Sequence, residues 1–80
     1  MNTSRAVADR LLFLCNERNI TVNRLSTDAA VRQSTVNDIV SGKTKNAGIL
    51  TIKKLCDGLG ISLADFFDTD IFRSLEQEIE

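Results

Sequence analysis

Residues 33–38 of this 80-residue chain, QSTVND, form a run rich in short hydrogen-bonding side chains. An amide donates and accepts at once, which matches the N6 and N7 edge of adenine, so Gln33 and then Asn37 are the first candidates for contacting a base. Ser34 is short enough to reach a base or a phosphate, and Asp38 can accept from cytosine N4. This pattern favours recognition of nucleic acid, with a solvated polar surface as the alternative for Ser34 and Asn37.

Cationic and hydroxyl side chains flank this run on both sides. Arginine precedes it, and the loop GKTKNAG at residues 42–48 follows it. Lysine and arginine supply charge to phosphate, while Thr, Asn and backbone N–H groups supply hydrogen bonds. Arg32, Lys43 and Lys45 therefore contribute to a local basic patch, and Thr44 and Asn46 add hydrogen-bonding groups beside it. A flexible, solvated loop is the alternative, and we favour an internal ion pair of Asp38 with Arg32 or Lys43.

The charge is unevenly distributed although the net charge is only −1. Residues 1–60 carry nine Lys and Arg against five Asp and Glu, a net of +4. Residues 61–80 carry one Arg against six acids, a net of −5. A local basic patch is what phosphate binding requires, so the low total does not argue against nucleic acid. Lys53 and Lys54 are more typical of plain exposed helix charges.

Several functional classes are disfavoured by what the sequence lacks. There is no histidine, no Walker-type loop and no Ser/His/Asp or Cys/His set, so we expect no enzyme, metal or cofactor. Cys15 and Cys56 lie far apart and are expected to be reduced and buried, with a disulfide as the alternative. Asp9 and Arg10 interrupt any signal peptide, and no apolar run approaches the ~18 residues of a membrane span. We therefore expect a cytoplasmic protein with no membrane partner and no evident small-molecule ligand.

Apolar residues recur at helical spacing and predict a compact all-α fold. Asn19, Gly42 and Gly60 are suited to ending helices, and Ser62 with Asp65 resembles a capping box. Thr3 or Ser4 is expected to cap the first helix and Thr21 the second. Five helices are predicted: about residues 3–18, 22–29, 33–41, 49–59, and one that begins at residue 62.

Each predicted helix has a stripe of residues that we expect to be buried. The third helix carries its apolar stripe opposite the polar run, so one face anchors the helix and leaves the other free. In the second helix, small residues allow close approach of another helix. The tail has apolar residues at helical spacing among acids, and these either fold back on the core or pair two subunits. The predicted stripes are Val7, Leu11, Leu14 and Cys15; Leu25, Ser26 and Ala29; Val36, Ile39 and Val40; Ile49, Ile52, Leu55, Cys56 and Leu59; Leu63, Phe66 and Phe67; and, in the tail, Ile71, Phe72, Leu75 and Ile79.

Residues 21–67 resemble the Cro and phage-repressor (XRE-like) helix-turn-helix family. The resemblance is carried by Leu25, Ala29, Val31, the run 33–35, Ile39, Gly42–Lys43, Leu55, Leu59–Gly60 and Ser62–Leu63. It implies a five-helix lambda-repressor-like DNA-binding domain over residues 1–67 and an acidic, amphipathic helical tail over 68–80.

The resemblance also implies a function and an assembly. Helix 33–41 would lie in the major groove of double-stranded DNA, as the second helix of this motif does, and two subunits would bind adjacent half-sites as a homodimer. The expected activity is that of a sequence-specific transcription regulator such as a repressor. The base-contacting residues would be Gln33, Ser34, Asn37 and Asp38. The phosphate-contacting residues would be Thr21, Arg32, Lys43, Thr44, Lys45 and Asn46.

Three positions depart from the family pattern. Val22 stands where many relatives have glutamine, so a polar contact is lost. Ala30 stands where glycine often forms the turn, and Arg32 stands where Ser or Thr usually caps the recognition helix. Val22, Asp38 and the acidic tail favour an alternative function, a protein-interaction module without independent DNA binding. The polar face of helix 33–41 and the GKTK loop count against that alternative.

Overall fold

The computed structural model describes residues 1–79, and its secondary structure is helical throughout. The all-α prediction is confirmed, and the first four predicted helices end within a residue of their observed bounds. A fifth, short helix follows as expected, and a single extra turn forms in the tail. The helices are α1 (Thr3–Glu17), α2 (Val22–Ala29), α3 (Gln33–Val40), α4 (Ile49–Leu59), α5 (Leu63–Phe67) and α6 (Asp70–Arg73).

The predicted apolar stripes meet in one core, with one exception. The stripes of α1 and α2 are buried, and those of α3 to α5 are buried or half-buried except for Ile49. Ile49 is 67% exposed, so its predicted burial is wrong. It opens α4, and the buried residues of that helix begin only at Ile52. The first turn of α4 therefore projects beyond the core, which leaves Ile49 and Leu50 in solvent.

Three of the helices end in the same way. Asn19, Ala30 and Gly60 adopt left-handed φ values of 53°, 55° and 75° after α1, α2 and α4. In each case the N–H of the left-handed residue and the N–H of the residue after it donate to carbonyls of the last turn, which is the Schellman arrangement. The residues that follow, Ile20, Val31 and Ile61, pack against the core and so fix where the chain goes next.

The predicted caps are confirmed for two helices and wrong for one. The hydroxyls of Thr21 and Ser62 accept bonds from the third N–H group along, each at 3.0 Å. At α1, however, the cap is Asn2, whose Oδ1 accepts from the Arg5 N–H at 2.8 Å. Helix α1 begins at Thr3 itself, so the capping position falls one residue earlier than expected, and asparagine serves there as well as serine.

Close contact between α2 and α4 holds the helix-turn-helix in place. A Cβ atom added at Gly58 would lie 3.0 Å from both the Cβ and the backbone nitrogen of Ala29. The expectation that small residues on α2 admit another helix is therefore confirmed. Because backbone lies on the Ala29 side, only glycine fits at position 58 without movement of one helix.

The tail folds back on the core but is helical over only its first part. The ring of Phe72 lies 4.9 Å from that of Phe67 and 6.0 Å from that of Phe66, between centroids. Helix α6 ends at Arg73, so the helical tail predicted as far as Ile79 is wrong beyond that point. Ile79 is 81% exposed. After α6 the chain crosses to α1, where Glu78 accepts hydrogen bonds from Thr3.

Candidate nucleic-acid interface

Helix α3 presents a polar face to solvent and an apolar face to the core. Val36 and Ile39 are buried, while Gln33, Ser34 and Asn37 are exposed. The structure thus brings these three predicted base-contacting side chains together on one accessible surface. The rigid attachment of the opposite face is what a recognition surface needs, because hydrogen-bonding groups must be held in fixed directions to discriminate between bases.

Asp38 lies at the edge of this surface and is half-buried. The expected ion pair with Arg32 or Lys43 is wrong: within residues 1–79, neither cation lies within salt-bridge distance of the Asp38 carboxylate. The carbonyl of Asp38 does accept bonds, from the Thr44 N–H at 3.0 Å and from the Ser41 hydroxyl at 3.3 Å. The Asp38 carbonyl therefore holds the start of the following loop by hydrogen bonds. The Asp38 carboxylate has no ion-pair partner within residues 1–79, so it can accept a hydrogen bond from a ligand.

The turn before α3 has the geometry expected from Ala30 and Arg32, two of the positions that depart from the family pattern. Ala30 adopts φ 55° and ψ 40°, so alanine occupies a left-handed position at which glycine is common. Arg32 is the N-cap of α3 and makes no side-chain capping bond. The first N–H groups of α3 are consequently not satisfied by a cap, and the Arg32 side chain is exposed beside them.

The loop after α3 is anchored at its start and exposed along its length. Gly42 has φ 83° and donates its N–H to the carbonyl of Ile39 at 3.2 Å. Thr44 is half-buried and tied to Asp38, whereas Lys43, Lys45 and Asn46 are exposed. All four predicted phosphate-contacting residues of this loop therefore lie next to the C-terminal end of α3.

Ion pairing separates the basic residues into two groups. Arg5, Arg24 and Lys53 each pair with an aspartate one helical turn away, and Arg18 and Arg73 also have carboxylate partners. The Arg10 guanidinium donates instead to the carbonyls of Phe66 and Asp65, at 2.8 and 2.9 Å. Within the described part of the chain, the cations with no such partner are Arg32, Lys43, Lys45 and Lys54.

At the start of α2, Thr21 and Val22 have different surroundings. Thr21 is exposed, and its hydroxyl accepts from the Arg24 N–H. Val22 is half-buried and packs against the core. Valine at this position therefore contributes apolar contact to the core and offers no side-chain hydrogen bond.

Two arginines have positioning roles that the sequence did not reveal. Arg10 ties α1 to the end of α5, and the Arg18 Nε donates to the Leu59 carbonyl at the end of α4, at 3.2 Å. Both bridge residues more than 40 positions apart, at helix ends where carbonyls lack intrahelical partners. No local sequence pattern encodes such contacts, so they leave no signal of their own.

The cysteines form no part of this surface. Cys15 and Cys56 are buried and free, as expected, and burial raises the pKa of both thiols. In residues 1–79, no group of three or more His, Cys, Asp or Glu is placed to hold a metal ion. None of the helices in that range is long and apolar enough to cross a membrane.

Comparison with known proteins gives the family. The Cro/C1-type HTH DNA-binding domain matches residues 10–70, so the chain belongs to this family of DNA-binding regulators. It is also similar to the crystal structure of the prophage Lp1 protein 11, with 41% sequence identity and a TM-score of 0.81. That similarity covers 94% of this chain and 100% of the other. No curated protein matches the sequence. The resemblance inferred from residues 21–67 is confirmed.

Proposed function

We propose that this protein is a transcription regulator that binds double-stranded DNA sequence-specifically, with α3 in the major groove. One observation carries the proposal. The exposed polar face of α3 lies between Arg32 at its start and Lys43 and Lys45 beyond its end, and within residues 1–79 these three cations have no carboxylate partner. Cations already paired contribute little net charge to a ligand, whereas unpaired cations attract phosphate.

The residues divide into two roles. Gln33 and Asn37 offer amides suited to adenine, Ser34 contacts a base or a phosphate, and Asp38 accepts from cytosine N4. Contacts to phosphate fix the position of α3 without carrying sequence information. We assign these contacts to Thr21, Arg32, Lys43, Thr44, Lys45 and Asn46.

We further propose that two copies bind together as a homodimer. A single helix of eight residues contacts few base pairs, and helix-turn-helix proteins gain specificity by binding two half-sites about one DNA turn apart. Symmetry of the protein then requires an inverted repeat in the DNA. Repression is the proposed effect on transcription, in keeping with the resemblance to phage repressors.

Salt dependence of DNA affinity tests the electrostatic part of this proposal. With Arg32, Lys43 and Lys45 each neutralising one phosphate in both subunits, the slope of log affinity against log salt is about −5, at about −0.9 per charge. Lys45→Ala is expected to reduce the slope by about 2 per dimer. Lys53→Ala is the matched control, because Lys53 is paired with Asp57 and its loss leaves the slope nearly unchanged. A slope near zero, or equal losses in both variants, contradicts the assignment and favours a protein-interaction module.

A further inference from the structure

The acidic tail is fastened to the start of α1 by one carboxylate. Oε2 of Glu78 accepts from the Thr3 hydroxyl at 2.6 Å and from the Thr3 N–H at 3.2 Å, across 75 positions of chain. Thr3 is the first residue of α1, where N–H groups lack intrahelical partners and the helix dipole favours a negative charge. These bonds lower the pKa of the Glu78 carboxyl, so it is ionised when it binds Thr3 at neutral pH.

This contact shares a groove with the loop that follows α3. The groove has a volume of about 500 Å³ and apolar walls that include Val7 and Ile39. Residues 2–4 and Glu78 line it together with Thr44, Lys45 and Asn46. Within residues 1–79 no cation lies within 4 Å of the Glu78 carboxylate, so no ion pair neutralises its charge. A negative charge is therefore held beside residues assigned to phosphate contact.

Hydrogen bonds, more than packing, hold the end of the tail at the start of α1. Residues 75–79 form no helix, and both Glu78 and the neighbouring Ile79 are exposed. Exposed hydrogen bonds contribute little net stability, because water replaces them when they open. The end of the tail can therefore detach without unfolding the core, which is held by α1 to α5 and the ring of Phe72.

We propose that the Thr3–Glu78 contact is an autoinhibitory latch, which holds the acidic tail beside the phosphate-contacting loop and weakens DNA binding until it opens. This proposal rests on the proposed function and adds a means of regulating the same surface. At about 50 mM salt, a carboxylate about 10 Å from one phosphate weakens affinity about 1.4-fold after screening. Opening the latch in both subunits of a dimer is therefore expected to strengthen binding about two- to fourfold, for one or two nearby phosphates per subunit.

The test separates breakage of the latch from loss of charge. Thr3→Val removes the 2.6 Å bond and leaves every charge in place, while Glu78→Gln removes the charge as well. Ser4→Ala is the matched control, since the Ser4 hydroxyl bonds only Asn2 among residues 1–79. At ~50 mM salt, T3V and E78Q are expected to bind a labelled operator duplex about two- to fourfold more tightly than wild type, and S4A equally. In a Lys45→Ala background, the gain in DNA affinity from T3V or E78Q is expected to be smaller, because Glu78 and Lys45 act on the same phosphate contact.

A second readout distinguishes failure of the latch from failure of the proposed function. The amide resonance of Thr3 is expected to shift in E78Q without any DNA, because its acceptor changes. If that shift occurs and no variant binds DNA, the proposed function is wrong and the autoinhibition proposal falls with it. If wild type binds DNA but T3V binds no more tightly, or if S4A gains as much as T3V, the latch is refuted and the proposed function stands.

Discussion

Ala30 lies at the turn on which the whole helix-turn-helix depends, and its backbone is strained. Its φ of 55° and ψ of 40° place an L-residue in the left-handed region. A residue with a Cβ atom loses about 1–2 kcal/mol there, whereas glycine does not. The side chain of Ala30 is exposed, so replacing it removes no packing. Ala30→Gly is therefore expected to relieve strain in the folded state.

The stabilisation expected from Ala30→Gly is partly offset by an effect of the substitution on the unfolded state. Glycine gives the unfolded chain more freedom than alanine, which offsets about 0.4–1 kcal/mol. The net effect of Ala30→Gly is then a stabilisation of about 0.5–1 kcal/mol. For a domain of this size, such a change raises Tm by about 2–8 °C. Urea and thermal unfolding followed by far-ultraviolet circular dichroism measure both quantities.

The matched control for this prediction is Ala64→Gly. Ala64 is also an exposed alanine, but it lies within helix α5, where glycine costs about 1 kcal/mol relative to alanine. The two variants carry the same chemical change and are expected to move stability in opposite directions. A loss of stability in A30G similar to that in A64G would refute the strain at the turn.

Three further predictions concern packing, capping and thiol chemistry. Gly58→Ala forces a methyl group against Ala29, which costs about 1–3 kcal/mol in unfolding free energy, only partly offset by better helix propensity. Arg32→Ser supplies the missing cap of α3 and is expected to stabilise the fold by about 1 kcal/mol while weakening DNA binding and its salt slope. Burial and raised pKa are expected to protect Cys15 and Cys56 from alkylation at neutral pH until the protein is unfolded in urea.

A specific result would contradict each of these three predictions. Unfolding of G58A at the wild-type urea concentration would show that α2 and α4 separate easily. If R32S gains stability and keeps its full salt slope, Arg32 makes no phosphate contact; if it gains none, the N–H groups of α3 are satisfied otherwise. Alkylation of the native protein at the unfolded rate would place the thiols in contact with solvent, and a Cys15→Ser variant assigns the label to one site.

Much of the fold follows from local patterns because its determinants are local. Thr21 caps α2 by bonding three residues along the chain, and the apolar spacing of α3 alone divides it into a buried and an exposed face. The ion pairs one helical turn apart are also local. The pairs Arg5 with Asp9, Arg24 with Asp28 and Lys53 with Asp57 follow from their spacing of four residues, so these three paired cations could have been found from the sequence.

The features of the fold that could not be predicted depend on contacts between distant parts of the chain. Exposure of Ile49 reflects how far α4 extends beyond the helices it packs against, which periodicity does not encode. The contact of Glu78 with Thr3 joins positions 75 residues apart, and the roles of Arg10 and Arg18 depend on helix ends more than 40 positions away. Such features become visible only when the helices are assembled.

The central claim is that α3 discriminates between DNA sequences, and selection from a random pool of double-stranded DNA tests it most directly. The selection is made at about 150 mM salt, so that non-specific phosphate binding is weakened. Wild type is compared with Gln33→Ala and with Gln77→Ala, which removes the other glutamine of the chain, in the tail. We predict an enriched inverted repeat for wild type and for Q77A, with preference lost at one position of each half-site in Q33A. Failure of wild type to enrich any sequence would contradict the account.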